Sequence, residues 1–207
     1  MSASTEPTHL PDATYAPPAA RRLLHTRRVE FRGYEREDGL WDIEAEMSDR
    51  RDYPSLRPDG GLKIARNEAV HDMGIRVTVD DALTVVAIEP IMRAVPMPEC
   101  QASRAPMQAM LGARMGGGWR RAIEDRLGGT AGCAHLRELL FNMATAALQT
   151  IPVYRAQQII RGEIPDPRST EPPGFLGRCK TWDFDSDATR RAFPRWYGWR
   201  GRQADST

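Results

Sequence analysis

The stretch RRVEFRGYEREDGLWDIEAEM, residues 27–47, alternates apolar with charged side chains on both sides of an Asp38-Gly39 turn. Alternation with a period of two is typical of β-strands with one buried face, and Asp-Gly between two such runs is a strong hairpin signal. The inward side of the second strand carries Trp41, Ile43, Ala45 and Met47. The stretch therefore predicts a β-hairpin that packs one face on a core.

A second hairpin is predicted further along the chain. Residues 70–79 form its first strand, Asp80-Asp81 its turn and residues 83–92 its return strand, while residues 50–66 resemble a loop. The faces expected to be shared are Ile75, Val77 and Val79 on the first strand and Thr84, Val86 and Ile88 on the second. Together the two hairpins predict a four-stranded antiparallel meander.

After residue 96 the apolar period moves towards 3.6, which indicates helices. We predict helices over about residues 100–114, 119–127 and 133–149, with Pro152 kinking or ending the last one and a further amphipathic piece running to Arg161. The inner face of the last helix is predicted to be Leu136, Leu139, Leu140, Met143 and Ala147. Strands followed by helices favour an α+β fold, an antiparallel β-meander of about four strands with helices packed on one face.

The composition is that of one folded domain with tails. Of the 207 residues, 41% are hydrophobic and 28% are charged, which is ordinary for globular proteins. We predict a disordered N-terminal tail over residues 1–22 and an α+β core domain over residues 23–161. Residues 162–207 are predicted to be a linker and an aromatic-rich C-terminal segment that packs on the core.

Several classes of protein are not expected. The chain has no run of about 18 apolar residues, which a membrane-spanning helix needs, and no secretory leader. Three Cys residues suit a reducing compartment, so we expect a cytoplasmic protein. A net charge of +1 gives no general attraction to nucleic acid or to an anionic membrane, so neither is an expected partner.

The residues that can carry chemistry lie at the ends of predicted elements. His71-Asp72 begins the third strand, Cys100 follows the last strand, and Cys133-Ala134-His135 begins the long helix. A Cys in the first helical turn lies at the positive end of the helix dipole, which favours the thiolate. A thiolate and an imidazole two residues apart can bind one metal ion, or they can act as nucleophile and base. Packing in the core is the alternative for both Cys residues.

This arrangement resembles the iron–sulfur cluster assembly scaffolds. Those proteins place one ligand at a strand start beside an Asp, a Cys at the strand-to-helix turn and a further ligand at the head of a long helix. The matching positions here are His71 with Asp72, Cys100-Gln101-Ala102-Ser103, and Cys133 with His135. The chain differs in having His at the first position and C-x-H at the helix start. The resemblance thus implies the fold and the place of the site.

Residues 24–160 and part of the C-terminal end resemble a bacterial family of domains of unknown function, DUF2889. Three segments carry this resemblance in order: RRVEFRGYEREDGLWDIEA at 27–45, VHDMGIRVTV at 70–79 and GGTAGCAHLRELL at 128–140. The resemblance implies no particular mechanism. Some members of that family accompany genes for the degradation of aromatic compounds, which is an association and not a mechanism.

We therefore expect a small-molecule enzyme of the lyase or decarboxylase type, acting on an aromatic compound. The expected catalytic residues are His71, Asp72 and His135. The expected ligands of a zinc or iron ion are Cys100, Cys133, His135 and His71. Expected cleft walls are Met97, Trp119 and the C-terminal Trp cluster.

Two other functions stay open at this point. The same residues suit a zinc or iron–sulfur carrier or assembly scaffold, in which the site would be exposed. Alternatively the Cys and His residues are packed in a structural domain without a site. The expected partner is a small aromatic substrate, and the sequence leaves open whether the protein forms a homodimer.

Overall fold

The computed structural model describes residues 19–165 and 171–201. The strands are β1 (His25–Glu35), β2 (Trp41–Arg51), β3 (Ser55–Leu56), β4 (Leu62–Ile64), β5 (Ala69–Val79) and β6 (Val85–Ala94). The large sheet is antiparallel and has the order β1-β2-β5-β6. The two predicted hairpins and the four-stranded meander are thus confirmed.

The helices follow the sheet in the chain, as predicted. They are α1 (Trp119–Leu127), α2 (Ala134–Ile160) and α3 (Asp187–Ala192), with 3-10 segments at Pro98–Met110, Gly129–Ala131 and Pro194–Trp196. Helix α2 packs on β1, β2 and β5, and α1 packs on α2. The α+β class is therefore confirmed. No helix in the described part of the chain is both long enough and apolar enough to cross a membrane.

The core lies between the sheet and the helices. The predicted inward residues of β2 are at most 4% exposed, and so is the predicted inner face of α2. The apolar alternation therefore identified the buried face correctly. Helix α2 continues through Pro152 to Ile160, so an end at Pro152 is wrong, and the further helical piece predicted to run to Arg161 belongs to the same helix.

Three local predictions were wrong. Residues 50–66 contain the small hairpin β3–β4, which pairs Ser55 with Ile64 and Leu56 with Leu62. The helix predicted over residues 100–114 is instead the 3-10 segment Pro98–Met110. Pro106 inside that segment has no N–H to donate and disfavours an α-helical residue before it, which works against a continuous α-helix.

The third wrong prediction concerns the buried face of β6. Thr78 pairs with Ala87 but Val79 pairs with Val85, so Val86 is an extra residue in a β-bulge. Val86 is 46% exposed, while Val85 and Ile88 are buried. The bulge interrupts the alternation of buried and exposed side chains along β6, so the predicted face of Thr84, Val86 and Ile88 is not continuous.

The C-terminal segment has an aromatic cluster of its own. Phe175, Trp182 and Phe193 contact one another edge to face, with ring centroids 5.5 to 5.6 Å apart. Trp196 is buried and lies against Trp199. That the segment packs on the core stays a prediction.

Parts of the predicted domain organisation lie outside the described residues. These parts are residues 1–18 of the tail, 166–170 of the linker and 202–207 of the C-terminal segment.

Candidate active site

A row of polar side chains crosses the helix-covered face of the sheet at one end. In the register, Arg27 of β1 lies opposite Asp49 of β2, and Asp49 lies opposite His71 of β5. Each of these residues continues the inward-facing series of its strand, because side chains alternate between the two faces of a sheet. The series on β2 ends on Met47 and then Asp49. The strand pattern therefore directs an acid, a guanidinium and an imidazole to one place.

Asp49 is the centre of this row. It is 3% exposed, and four hydrogen bonds reach its carboxylate. Arg27 donates from Nε to Oδ1 at 2.8 Å and from Nη2 to Oδ2 at 2.9 Å. His25 Nε2 lies 2.9 Å from Oδ1, and His71 Nδ1 lies 3.0 Å from Oδ2. A carboxylate offers about four lone-pair sites, so Asp49 is fully satisfied.

The surroundings keep Asp49 ionised. Burial raises the pKa of its carboxyl group, but the hydrogen bonds and charge of Arg27 and the hydrogen bonds of both His residues outweigh burial and lower the pKa to about 2. An ionised carboxylate can only accept hydrogen bonds. The hydrogen in the contact with His71 must therefore belong to Nδ1, and in the neutral ring Nε2 is the free acceptor.

His135 of α2 faces His71. The two ring centroids are 4.1 Å apart and the rings are tilted by 41°. Asp49, His71 and His135 can each offer one ligand atom, and these atoms lie within 4.8 Å of one another. Two imidazoles are thus brought together above a buried carboxylate, with the His71 side chain 14% exposed.

Cys133 lies beside His135 at the start of α2. Its Sγ is 4.0 Å from His135 Nδ1. Burial raises the pKa of the Cys133 thiol, but a hydrogen bond with His135, the backbone N–H groups of Leu136 and His135, and the charge of His135 lower it below its ordinary value. The sequence expectation that the helix start favours the thiolate agrees in direction with this result.

A cavity of about 310 Å³ opens over these groups. This volume is at the small end of the range for ligand pockets. Its lining residues are His25, Arg27, Asp49, Arg51, Val70, His71 and His135. The expected cleft walls lie elsewhere: Trp119 is buried in the core and donates its indole N–H to the Leu140 carbonyl, and Met97 is 49% exposed. Six of the seven lining residues carry polar or charged side chains, and Phe, Tyr and Trp are not among them, so the walls expected from Met97, Trp119 and the C-terminal Trp cluster are not the walls of this cavity.

The structure brings together some of the residues that the sequence predicted. His71 and His135 are neighbours, and Cys133 is next to His135. Asp72 follows His71 in β5 and points to the opposite face, where its carboxylate accepts a hydrogen bond from Arg93 Nε at 2.7 Å. Cys100 lies in the 3-10 segment, partly buried against the core and outside the group of three. The four predicted metal ligands thus do not form one cluster.

Asp49, Arg27 and His25 were not among the site residues predicted from the sequence. The signal for Asp49 was available, because it occupies the next inward position after Met47 in a strand that alternates throughout. A charged side chain at an inward position needs a partner. The partners could not be found without the register between β1 and β2.

Only some of the possible ligands at this site are available to a metal ion. Both oxygens of Asp49 already accept hydrogen bonds from Arg27 and from a His residue, so a metal ion on Asp49 would have to displace these donors. The Nε2 atom of His71, His135 and the Cys133 thiolate are the remaining groups, and all are types that bind zinc or iron. The arrangement therefore fits acid–base chemistry through His71 without rearrangement.

Comparison with known proteins gave one result. A family model described as "Protein of unknown function (DUF2889)" matches residues 25–149. Neither the curated proteins nor the solved structures contain a match to the chain.

Proposed function

Because the chain belongs to the DUF2889 family of proteins of unknown function, we propose from the site itself that it is a small-molecule enzyme that uses His71 as a general base. The reaction type that we propose is that of a lyase or decarboxylase. The observation that carries this proposal is the hydrogen bond between buried Asp49 and His71 Nδ1, which leaves Nε2 free beside the cavity.

Each residue has a defined part in this proposal. Asp49 fixes the orientation and tautomer of His71, in the way that a buried carboxylate orients a catalytic imidazole. Arg27 holds Asp49 in place through two hydrogen bonds. His135, with its ring centroid 4.1 Å from that of His71, is the second proton carrier.

In the proposed step, the protein accepts one proton from the substrate and donates one proton to it. His71 Nε2 accepts the proton of a substrate hydroxyl group, and the oxygen electrons form a carbonyl as the adjacent carbon–carbon bond breaks. The electron pair of that bond remains on the departing carbon, to which protonated His135 donates a proton. A decarboxylation of a hydroxy acid uses both residues. His71 Nε2 accepts the hydroxyl proton while protonated His135 donates a proton to the ring carbon that carries the carboxylate. As carbon dioxide leaves, the electron pair of its bond returns to the ring, and the oxygen regains its proton from His71.

Turnover by the full-length protein tests the proposal. A panel of single-ring aromatic acids and alcohols, with and without hydroxyl groups beside the carboxylate, is incubated with the protein and followed by proton NMR. We expect turnover of at least one compound and a loss of about 100-fold or more in His71→Gln, as for removal of a general base. Folding of the variant is checked by circular dichroism.

Asp72→Asn is the matched variant. It changes the neighbouring residue in β5, whose side chain lies on the opposite face with Arg93. The geometry predicts that Asp72→Asn keeps its turnover, whereas the sequence expectation that Asp72 is catalytic predicts a loss. Equal turnover in the wild type and His71→Gln would contradict the proposal.

A second candidate is a zinc or iron–sulfur carrier or assembly scaffold. The observation in its favour is that three ligand atoms, from Asp49, His71 and His135, lie within 4.8 Å of one another. Elemental analysis of protein purified without a His-tag and without oxygen tests it. About one metal ion per chain, lost in both His71→Ala and His135→Ala, would favour this candidate. Metal-free protein without turnover would favour a structural domain.

A further inference from the structure

The charged groups that line the cavity are unequal in sign. Asp49 is the one carboxylate among the lining residues, which also include two arginines, Arg27 and Arg51, and three His residues. Arg27 is fully engaged, because its Nε and Nη2 donate to Asp49 and its Nη1 donates to Glu138 at 2.6 Å. Arg27 thus forms ion pairs with both Asp49 and Glu138.

Arg51 is the remaining guanidinium of the cavity. It is partly buried at the end of β2, and it donates from Nη1 to the Ser55 hydroxyl at 2.7 Å. Its guanidinium carbon lies 6.0 Å from the centroid of the Tyr53 ring. Within residues 19–165 and 171–201, no carboxylate forms an ion pair with Arg51. The side chain is therefore held in position by neutral groups while its charge faces a cavity.

We propose that Arg51 binds the carboxylate of a small organic acid, which makes the substrate of this site a single-ring or similarly small carboxylic acid. A guanidinium presents a planar fork of donors that matches a carboxylate with two parallel hydrogen bonds. The cavity of about 310 Å³ limits the ligand to a small molecule. This inference rests on the proposed function, because it assigns the substrate class of the same site.

Arg51, His71 and His135 line the same cavity, so a carboxylate on Arg51 places the rest of the molecule in the space that the two imidazoles also line. The carboxylate then serves as an anchor, and the bond that reacts lies next to His71 Nε2. Binding and proton transfer are thus assigned to different residues and can be measured separately.

Isothermal titration of the full-length protein with benzoate, and in parallel with inorganic phosphate, tests the inference. We expect benzoate to bind the wild type, to bind Arg51→Gln at least about tenfold more weakly, and to bind Arg51→Lys with an intermediate affinity. Arg50→Gln is the matched control, because Arg50 is exposed and donates to the Asn67 carbonyl instead of lining the cavity. It should bind benzoate as the wild type does.

Three results would overturn the inference. They are the absence of benzoate binding to the wild type, equal affinity in Arg51→Gln and wild type, and phosphate binding that excludes benzoate. Thermal unfolding of each variant keeps a folding defect from being mistaken for a loss of binding, and Arg51→Lys retains the charge if Arg51→Gln does not fold.

The same variants distinguish this inference from the proposed function. His71→Gln should lose turnover while it still binds benzoate. If benzoate binding depends on Arg51 but no acid is turned over, the anion site stands and the proposed enzyme fails. If an acid is turned over with the same kcat/KM in Arg51→Gln as in the wild type, the enzyme stands and the role of Arg51 fails.

Discussion

The chemistry of Cys133 depends on a neighbouring side chain, His135. The contact with His135 and two backbone N–H groups hold the pKa of its thiol below the ordinary value, although burial acts in the opposite direction. We expect the pH midpoint for alkylation of Cys133 by iodoacetamide to lie below that of a free thiol. Mass spectrometry after timed labelling from pH 6 to pH 10 measures this midpoint for the individual residue.

The His135→Gln variant isolates the contribution of the imidazole. It removes the hydrogen bond and the charge of His135 but leaves the backbone N–H groups at the start of α2. The pKa of Cys133 should therefore rise in this variant, and the alkylation midpoint should move to higher pH. An unchanged midpoint would assign the effect to the helix start alone.

Residue types explain how much of the site the sequence could predict. His71 and His135 were found because His is scarce in this chain, with four residues, and both stand at the edge of a regular element. Asp49 was missed because acidic residues are common on strands and Glu44 and Glu46 nearby face outward. The distinction between an inward and an outward acid depends on continuing the alternation past Met47.

Close contact between β1 and α2 determines how the main helix lies on the sheet. A Cβ atom added to Gly33 of β1 would lie 2.1 Å from Thr150 Oγ1 and 2.7 Å from Thr150 Cβ. Both atoms are close to the helix backbone, so the clash cannot be relieved by turning a flexible side chain. Gly33 is therefore required for this approach, for steric reasons and not for its backbone angles.

We expect Gly33→Ala to lower the free energy of unfolding by about 1–3 kcal/mol, which is the usual cost of overpacking. Urea unfolding followed by circular dichroism measures it. Gly117→Ala is the matched control, because a Cβ at that loop position meets nothing within 4 Å. A Gly33→Ala variant as stable as the control would mean that α2 is free to shift away from β1.

At the level of elements, the sequence predicted those whose period is regular. The hairpins and α1 follow from alternation, turn residues and helical spacing. The bulge at Val86 and the 3-10 segment over Pro98–Met110 depend on local backbone geometry, which a regular period does not describe. An interior proline is unfavourable in an isolated helix, but α2 continues through Pro152. The tertiary context of α2 therefore outweighs the low helix propensity of this residue.

The polar row joins separate parts of the whole molecule. Asp49 on β2 binds His25 and Arg27 of β1 and His71 of β5, and Arg27 continues to Glu138 of α2. Three of the four strands of the large sheet and the main helix thus share one network around a buried charge. Protonation of the Asp49 carboxylate should therefore change the free energy of global unfolding and not only the properties of the cavity.

The acid dependence of stability follows from the pKa of Asp49, which is about 2 in the folded protein against an ordinary value of 3.8. A group with a lowered folded pKa contributes stability that is complete above the unfolded pKa and is lost as the pH falls through the folded pKa. The contribution at neutral pH is about 2.5 kcal/mol, because the folded and ordinary pKa values differ by about 1.8 and one pKa unit corresponds to about 1.4 kcal/mol. It should disappear between about pH 4 and pH 2.

Asp49→Asn supplies the comparison, because an amide does not titrate in this range. At pH 7 the variant should be less stable than the wild type, since Arg27 loses its buried partner. The difference in free energy of unfolding between the two proteins should shrink by about 2 kcal/mol from pH 5 to pH 2, as measured by urea unfolding at each pH. A constant difference would mean that Asp49 is protonated alike in the folded and unfolded chains. The hydrogen bonds from Arg27 and the two His residues would then not stabilise the ionised form of Asp49 over its ionised form in the unfolded chain.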